Sequence, residues 1–385
     1  MKKIAAVLLL STLISGSLRA NDRPPTDTVL HDAIRVARSQ LTSEDVYDQI
    51  LAAGAMVETG DKAALALLAK YAASSDFVIK RSAIDTLLST NHPNGVDMIM
   101  RVAEQDSVTL TLMIESLAAT PRGDLEDVLI EALASDKAYV RKNALQALST
   151  IDTDEVNAAV HRITDNPQEM PTVRAYGYYT LASNGHGAEI GRQVIAIAHT
   201  GETSDEREVA AASLGHINTA ASKAALTQMA IQDVDGRVKL AAIASSAGLK
   251  DDVAIAKLIN VIAYGKPLEA AVMAGAIRRL PLAVAREVTK TLITCCPLPA
   301  DTATRLLESW GWNGGDAGFL YQWGLAHTDA DVRLQTLWLI GHRRDASTVP
   351  ELSTFLKDEN PGIRTMAAWA IIHSADGNFV GGVET

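Results

Sequence analysis

Hydrophobic positions recur along this chain in one short frame. In Asp329–Gly341, DADVRLQTLWLIG, an acidic residue is followed after two spacers by a branched apolar residue and Arg333. A small and a large side chain then occupy the third and seventh places after that Arg. Related frames are DKAYVRKNALQAL at 136–148, ENPGIRTMAAWAI at 359–371, TVRAYGYYTL at 172–181 and SDFVIKRSAIDTL at 75–87. Aligned on the Arg or its stand-in, the anchors are Lys80, Leu110, Arg141, Arg174, Arg207, Lys239, Met273, Arg305, Arg333 and Arg364, at intervals of 28 to 34 residues. Such a period identifies a repeat protein.

Places −1, +3 and +7 about the anchor share one side of a 3.6-residue helix. A second apolar helix runs upstream of most anchors, as at 125–133 before Arg141. The predicted unit is therefore two antiparallel helices joined by a tight polar turn. The Asp of the turn accepts backbone N–H groups as an N-terminal cap, and the Arg reaches for the neighbouring unit's acidic group. Arg141, Arg174, Arg207, Asp329, Arg333 and Arg364 are accordingly assigned to a structural ladder. No such unit can bury its own face, so stacking supplies the core. The fold class is all-α, an α-solenoid (superhelix) of about ten to eleven antiparallel helix pairs.

These frames resemble the HEAT-repeat family, in particular its short phycobilisome-lyase-type repeats. The resemblance spans roughly residues 45–375; it is closest around anchors 80, 141, 333 and 364 and loosest around 110, 273 and 305. It implies paired helices with the second helices lining the concave side. It does not imply lyase activity, because the repeat serves unrelated functions.

Taken in order, residues 1–20 read as a signal peptide: Lys2 and Lys3, an apolar run Ile4–Ile14 too short to span a membrane comfortably, and a cleavage point near Ala20. The expected location is a bacterial periplasm. Residues 21–29 form an expected flexible leader, 30–264 N-terminal repeats opening with a cap repeat at 30–59, and 328–374 the C-terminal repeats, with a tail at 375–385. Between them, 265–327 reads as irregular, because Gly265, Pro267, Pro281, Pro297 and Pro299 interrupt the frame; it is either a joint or a binding loop.

A net charge of −11 opposes nucleic-acid binding. The two cysteines, Cys295 and Cys296, are adjacent; they pair with each other, pair between chains or stay as buried thiols. The nine histidines form no metal-ligand spacing, so neither metal nor cofactor is expected. His216 and His342 follow Gly215 and Gly341 at the ends of second helices, where imidazole suits the helix dipole.

One column departs from a solvated face. Place +5 should face the concave channel, and it holds Asp85, Glu115, Gln146, Tyr179, Ala212, Ala244, Arg278, Trp310, Trp338 and Trp369, with Tyr176 nearby at +2. Aromatic and Arg side chains anchor interfaces. The binding surface is therefore assigned to Tyr176, Tyr179, Arg278, Trp310, Trp338 and Trp369. The alternatives for the tryptophans are internal packing, cover by a second copy in a homo-oligomer, or a small hydrophobic or carbohydrate ligand. The leading functional reading is a non-catalytic periplasmic scaffold or adaptor for a protein or peptide partner. The other readings are an enzyme or chromophore-handling protein resembling the bilin-lyase HEAT proteins, which a cluster around Cys295, Cys296 and His327 would favour, or a structural subunit of an envelope complex.

Overall fold

The computed structural model describes residues 26–90, 94–103, 106–119 and 122–375. The expected signal peptide and residues 376–385 of the tail lie outside them. Residues 26–29, expected to be leader, instead open the first helix.

Among the described residues the helices come in eleven pairs. The first four are α1 (Thr26–Gln40) with α2 (Val46–Glu58), α3 (Lys62–Ala72) with α4 (Phe77–Ser89), α5 (Asn94–Ala103) with α6 (Ser107–Ala119), and α7 (Glu126–Ala132) with α8 (Ala138–Leu148). Next are α9 (Asp154–Thr164) with α10 (Pro171–Ser183), α11 (Gly187–Thr200) with α12 (Ser204–Leu214), and α13 (Ala220–Gln232) with α14 (Gly236–Gly248). The last four are α15 (Asp252–Tyr264) with α16 (Pro267–Ala276), α17 (Leu282–Cys295) with α18 (Ala300–Trp312), α19 (Gly318–Leu325) with α20 (Ala330–Arg343), and the short α21 (Val349–Leu352) with α22 (Pro361–Ser374). No strand occurs among the described residues.

Local chemistry starts these helices where the frame places them. Asp76, Asp235, Asp329 and Asn360 each accept a backbone N–H from the first turn of the helix they precede. Pro171, Pro267 and Pro361 occupy first helical positions, where a missing N–H costs nothing. The repeated Arg has a defined task at the opposite end. Arg141, Arg207, Arg333 and Arg364 each donate from Nη1 to the carbonyl six residues upstream, at 2.7, 3.0, 2.9 and 2.8 Å. Those carbonyls close the turn after the preceding helix, so the Arg satisfies a carbonyl the helix cannot. Arg141 also grips Glu169 and Arg207 grips Asp233, 28 and 26 residues on, in two-pronged pairs; Lys80 pairs with Asp106 likewise. These pairs hold the carboxyls of Glu169, Asp233 and Asp106 below their ordinary pKa. Arg333 and Arg364 spend their bonds on carbonyls alone.

The fold is an all-α solenoid. Even-numbered helices pack consecutively and more closely than the odd-numbered ones, which puts them on the concave side and the odd-numbered ones outside. The expected superhelix has a further property: it closes. Helix α22 packs against α1 and α2, and α21 meets α1, so the last inner helix adjoins the first. Closure explains two stretches that lack a clean 3.6-residue period. From Ala52 to Val57 and from Ala367 to Ser374 every residue is buried, as in helices covered on all sides. Segment 30–59 is therefore no solvent-facing cap; α22 covers it.

Residues 265–327 continue the pairing. Pro267 starts α16, while Pro281 and Pro299 immediately precede α17 and α18. The frame blurs there because its register moves, not because helices stop. Cys295 and Cys296 are joined to each other at the end of α17, with the Tyr264 hydroxyl 3.6 Å from Cys296 Sγ.

Candidate functional site: a concave cleft

The helix starts fix which face each residue takes. Arg141, Arg174, Arg207, Lys239, Arg333 and Arg364 all lie three residues into their helices. By that rule the anchors of α16 and α18 are Ala270 and Ala303, rather than Met273 and Arg305. Met273 then falls at +3 and Trp310 at +7, both core places. Leu214, Ile277, Trp310, Ile340 and Ile371, all at +7, are each 0% exposed. Trp310 donates from Nε1 to the Thr289 hydroxyl of α17 at 2.9 Å and meets Phe319 of α19 edge-on. It faces the outer layer, so its assignment to the concave surface is corrected.

With the register restored, places +1, +5 and +9 lie one turn apart and form a continuous stripe. They line a cleft of about 720 Å³ across α12, α14, α16 and α18. The stripe comprises Glu208, Ala212 and His216; Leu240, Ala244 and Gly248; Ala271, Gly275 and Arg279; then Glu308 and Trp312. Leu268 and Val272 add exposed apolar surface at the mouth, and Arg278 lines the cleft beside Arg279. This volume lies within the usual range for small-ligand pockets.

Two tyrosines of the neighbouring α10 join this region. The Tyr179 ring stands edge-on to His216, with centroids 5.7 Å apart. Lys142 lies over the Tyr176 ring at 5.2 Å. Burial, reinforced by Asp205 and Glu208, pushes the Tyr176 hydroxyl up to about 12. His216 keeps an exposed edge yet stands deep among surrounding protein, so desolvation lowers its pKa, with Arg279 acting in the same direction. Desolvation and Arg279 also lower the pKa of Arg278.

The charges of the cleft do not balance. Arg237, Arg278, Arg279 and Arg305 face two carboxylates, Glu208 and Glu308. Both carboxylates are engaged: Arg237 approaches Glu208 at 3.6 Å and Arg305 approaches Glu308 at 2.6 Å. Among the described residues, Arg278 and Arg279 make no side-chain hydrogen bond or ion pair. Nor do the hydroxyls of Tyr176 and Tyr179 make a hydrogen bond.

The remaining assigned tryptophans serve packing. Trp369 is 4% exposed and meets His373 in a tilted contact at 4.2 Å, so it too is removed from the concave surface. Its ring lies against Gly341 of α20, where a side chain would collide with it. Half-buried Trp338 repeats the arrangement: a Cβ added at Gly311 would come within 2.6 Å of it, and it stacks on His342 at 4.7 Å. Glycine at +8 is thus a socket for the tryptophan at +5 of the next inner helix. Trp312, absent from the expected set, meets His342 at 4.3 Å and presents another part of its ring to the cleft. Its signal was the register, visible only once the helix starts are known. Of the original six, Arg278 lines the cleft, while Tyr176 and Tyr179 border it.

Residues named for other chemistry do not converge. His327 Nδ1 accepts the Asp329 N–H in the turn before α20, whereas the cysteines end α17. Among the described residues, no group of three or more His, Cys, Asp or Glu side chains is placed to hold a metal. Among them, too, no helix is long and apolar enough to cross a membrane.

The HEAT-repeat model matches residues 319–376, which span the last two pairs. No characterised protein matches the chain in sequence. A crystal structure of an engineered protein, a structural-genomics target, aligns over 89% of this chain and 98% of its own at 15% identity, with a TM-score of 0.30. The Arg contact of the matched unit, at Arg333 and Arg364, recurs at Arg141 and Arg207, and over residues 319–376 the chain is similar to HEAT repeats.

Proposed function

We propose that the protein is a non-catalytic scaffold that holds a protein or peptide partner in the concave cleft bounded by α12, α14, α16 and α18. One observation carries this reading: the cleft lining mixes small and apolar side chains with two arginines, Arg278 and Arg279, that make no side-chain hydrogen bond or ion pair among the described residues. Small residues leave room for an extended chain, and rigid aromatic and Arg groups at its edges supply anchors. The HEAT architecture agrees, because stacked repeats make concave binding surfaces. The N-terminal pattern of residues 1–20 supports a periplasmic setting.

Site-specific photo-crosslinking tests the reading. A benzophenone side chain placed at Ala244, on the cleft floor, should capture a partner when the protein is isolated from its own compartment. The same group at Val234, 94% exposed and outside the cleft lining, should not. Equal capture at both positions, or none at Ala244, overturns the proposal.

A further inference from the structure

The unpartnered arginines narrow what the cleft can hold. Arg278 and Arg279 occupy the short 3-10 turn Ile277–Arg279, directly after α16. That turn is fixed from behind: Ile277 is fully buried, and Asn313 Nδ2 donates to the Ile277 and Leu280 carbonyls at 3.2 and 3.4 Å. The guanidiniums are therefore carried on a rigid base. Two like charges side by side and partly desolvated, with only the already engaged Glu208 and Glu308 nearby, are unfavourable until a further anion arrives. Planar guanidinium groups match carboxylate geometry.

Building on the peptide-binding reading, we infer that Arg278 and Arg279 take the carboxylate of an acidic residue in an extended peptide, while an adjacent apolar side chain rests on Leu240, Ala244 and Val272. A carboxylate fits better than a polyanion. Glu208 and Glu308 flank the site, and the chain as a whole carries −11; both penalise every further negative charge on the occupant. At physiological salt the screening length is about 8 Å, so a single carboxylate in contact senses the local arginines more than the distant surface. The apolar floor gives no reward to a free inorganic anion. The hydroxyls of Tyr176 and Tyr179 border the same end and offer further donors to a carboxylate.

Selection from a random displayed heptapeptide library against the full chain tests this. The native protein should enrich peptides with Asp or Glu beside Leu, Ile, Val or Phe, and their binding should weaken as salt rises. In Arg278→Met/Arg279→Met the selected peptides should bind about tenfold to a hundredfold more weakly. Arg278→Glu/Arg279→Glu should enrich Lys- or Arg-bearing peptides instead, a gain that a misfolded variant cannot give. The single Arg279→Glu change, at an exposed side chain, provides the same readout if the double variant fails to fold. Enrichment of peptides without an acidic preference, or equal binding by the Met variant, overturns the inference and leaves the peptide-binding reading standing. No enrichment by the native protein overturns both.

Discussion

The seam that closes the ring and the cleft on its inner wall are built from similar residues used in opposite ways. At the seam, Glu58 of α2 receives Arg344 Nη2 at 3.2 Å and lies 3.4 Å from His373 Nε2 of α22. Arg344 adopts a left-handed backbone (φ 51°), ending α20 and reaching across toward the first pair. His373 Nδ1 is held by the Trp369 carbonyl at 3.1 Å, and its ring lies under the Trp369 indole. Arginine, histidine and tryptophan here meet one another or a carboxylate, although His373 Nε2 itself makes no hydrogen bond. In the cleft, Arg278 and Arg279 make no side-chain hydrogen bond or ion pair among the described residues, and Trp312 offers part of its ring to open space. The difference follows from solvent. A group sealed between two helices must be paired or its desolvation is uncompensated. Facing a water-filled concavity, it can wait for an outside partner. On the proposed reading, the unpaired arginines of the cleft mark the binding surface, and the paired charges of the seam mark architecture.

Truncation should separate the two regions most sharply. Trp369→Ala removes a buried ring from the seam and should cost roughly 3–5 kcal/mol of unfolding free energy, read by denaturant titration. If Trp369→Ala unfolds at an unchanged denaturant midpoint, the seam is not a packed interface.

Acid should weaken the seam side next. Burial lowers His342 and His373 to about 4 from an ordinary 6.5; Arg343 and Arg344 act in the same direction on His342, and Glu58 opposes the shift of His373. Between pH 6.5 and about 4 the unfolded chain binds protons at these rings that the folded chain refuses. Stability should therefore fall as pH drops through that window, by at most about 3 kcal/mol per ring. His342→Gln should flatten the pH dependence of the thermal midpoint; an unchanged slope would show that His342 titrates normally.

The smallest effect on stability is expected in the cleft. Arg278→Met/Arg279→Met removes no internal pair and relieves a like-charge contact, so unfolding should shift by less than about 0.5 kcal/mol, in either direction. A loss above 2 kcal/mol would assign these residues to structure and erase the contrast with the seam.

Much of this was legible in the chain. Asp329 before a Val–Arg–x–x–small frame announced a capped helix with one buried face. The repetition of that frame announced stacking. Of the expected column, Ala212 and Ala244 line the cleft and Tyr179 abuts its His216, while Arg278, counted from Met273 instead of Ala270, lines it from place +8 rather than +5. Trp310 was misplaced because the anchor of α18 was taken as Arg305, two residues beyond the true position at Ala303. Two residues are 200° on a helix, enough to turn a core side chain into an apparent surface one. Where Arg is absent from the anchor place, only the observed helix start restores the count. For closure there was a signal in retrospect: LAAGAMV at 51–57 and MAAWAII at 366–372 are apolar on every side, which a terminal helix exposed to water would not be.

By itself the sequence determined the unit: paired helices, their caps, the Arg that satisfies a turn carbonyl, and the small residues that let neighbours approach. Each is a local property, fixed by side chains within about one repeat. Tertiary structure decided what depends on summing small rotations over eleven pairs. That sum brought α22 onto α1 and α2, buried Trp369 in the seam, and left Arg278 and Arg279 facing open space.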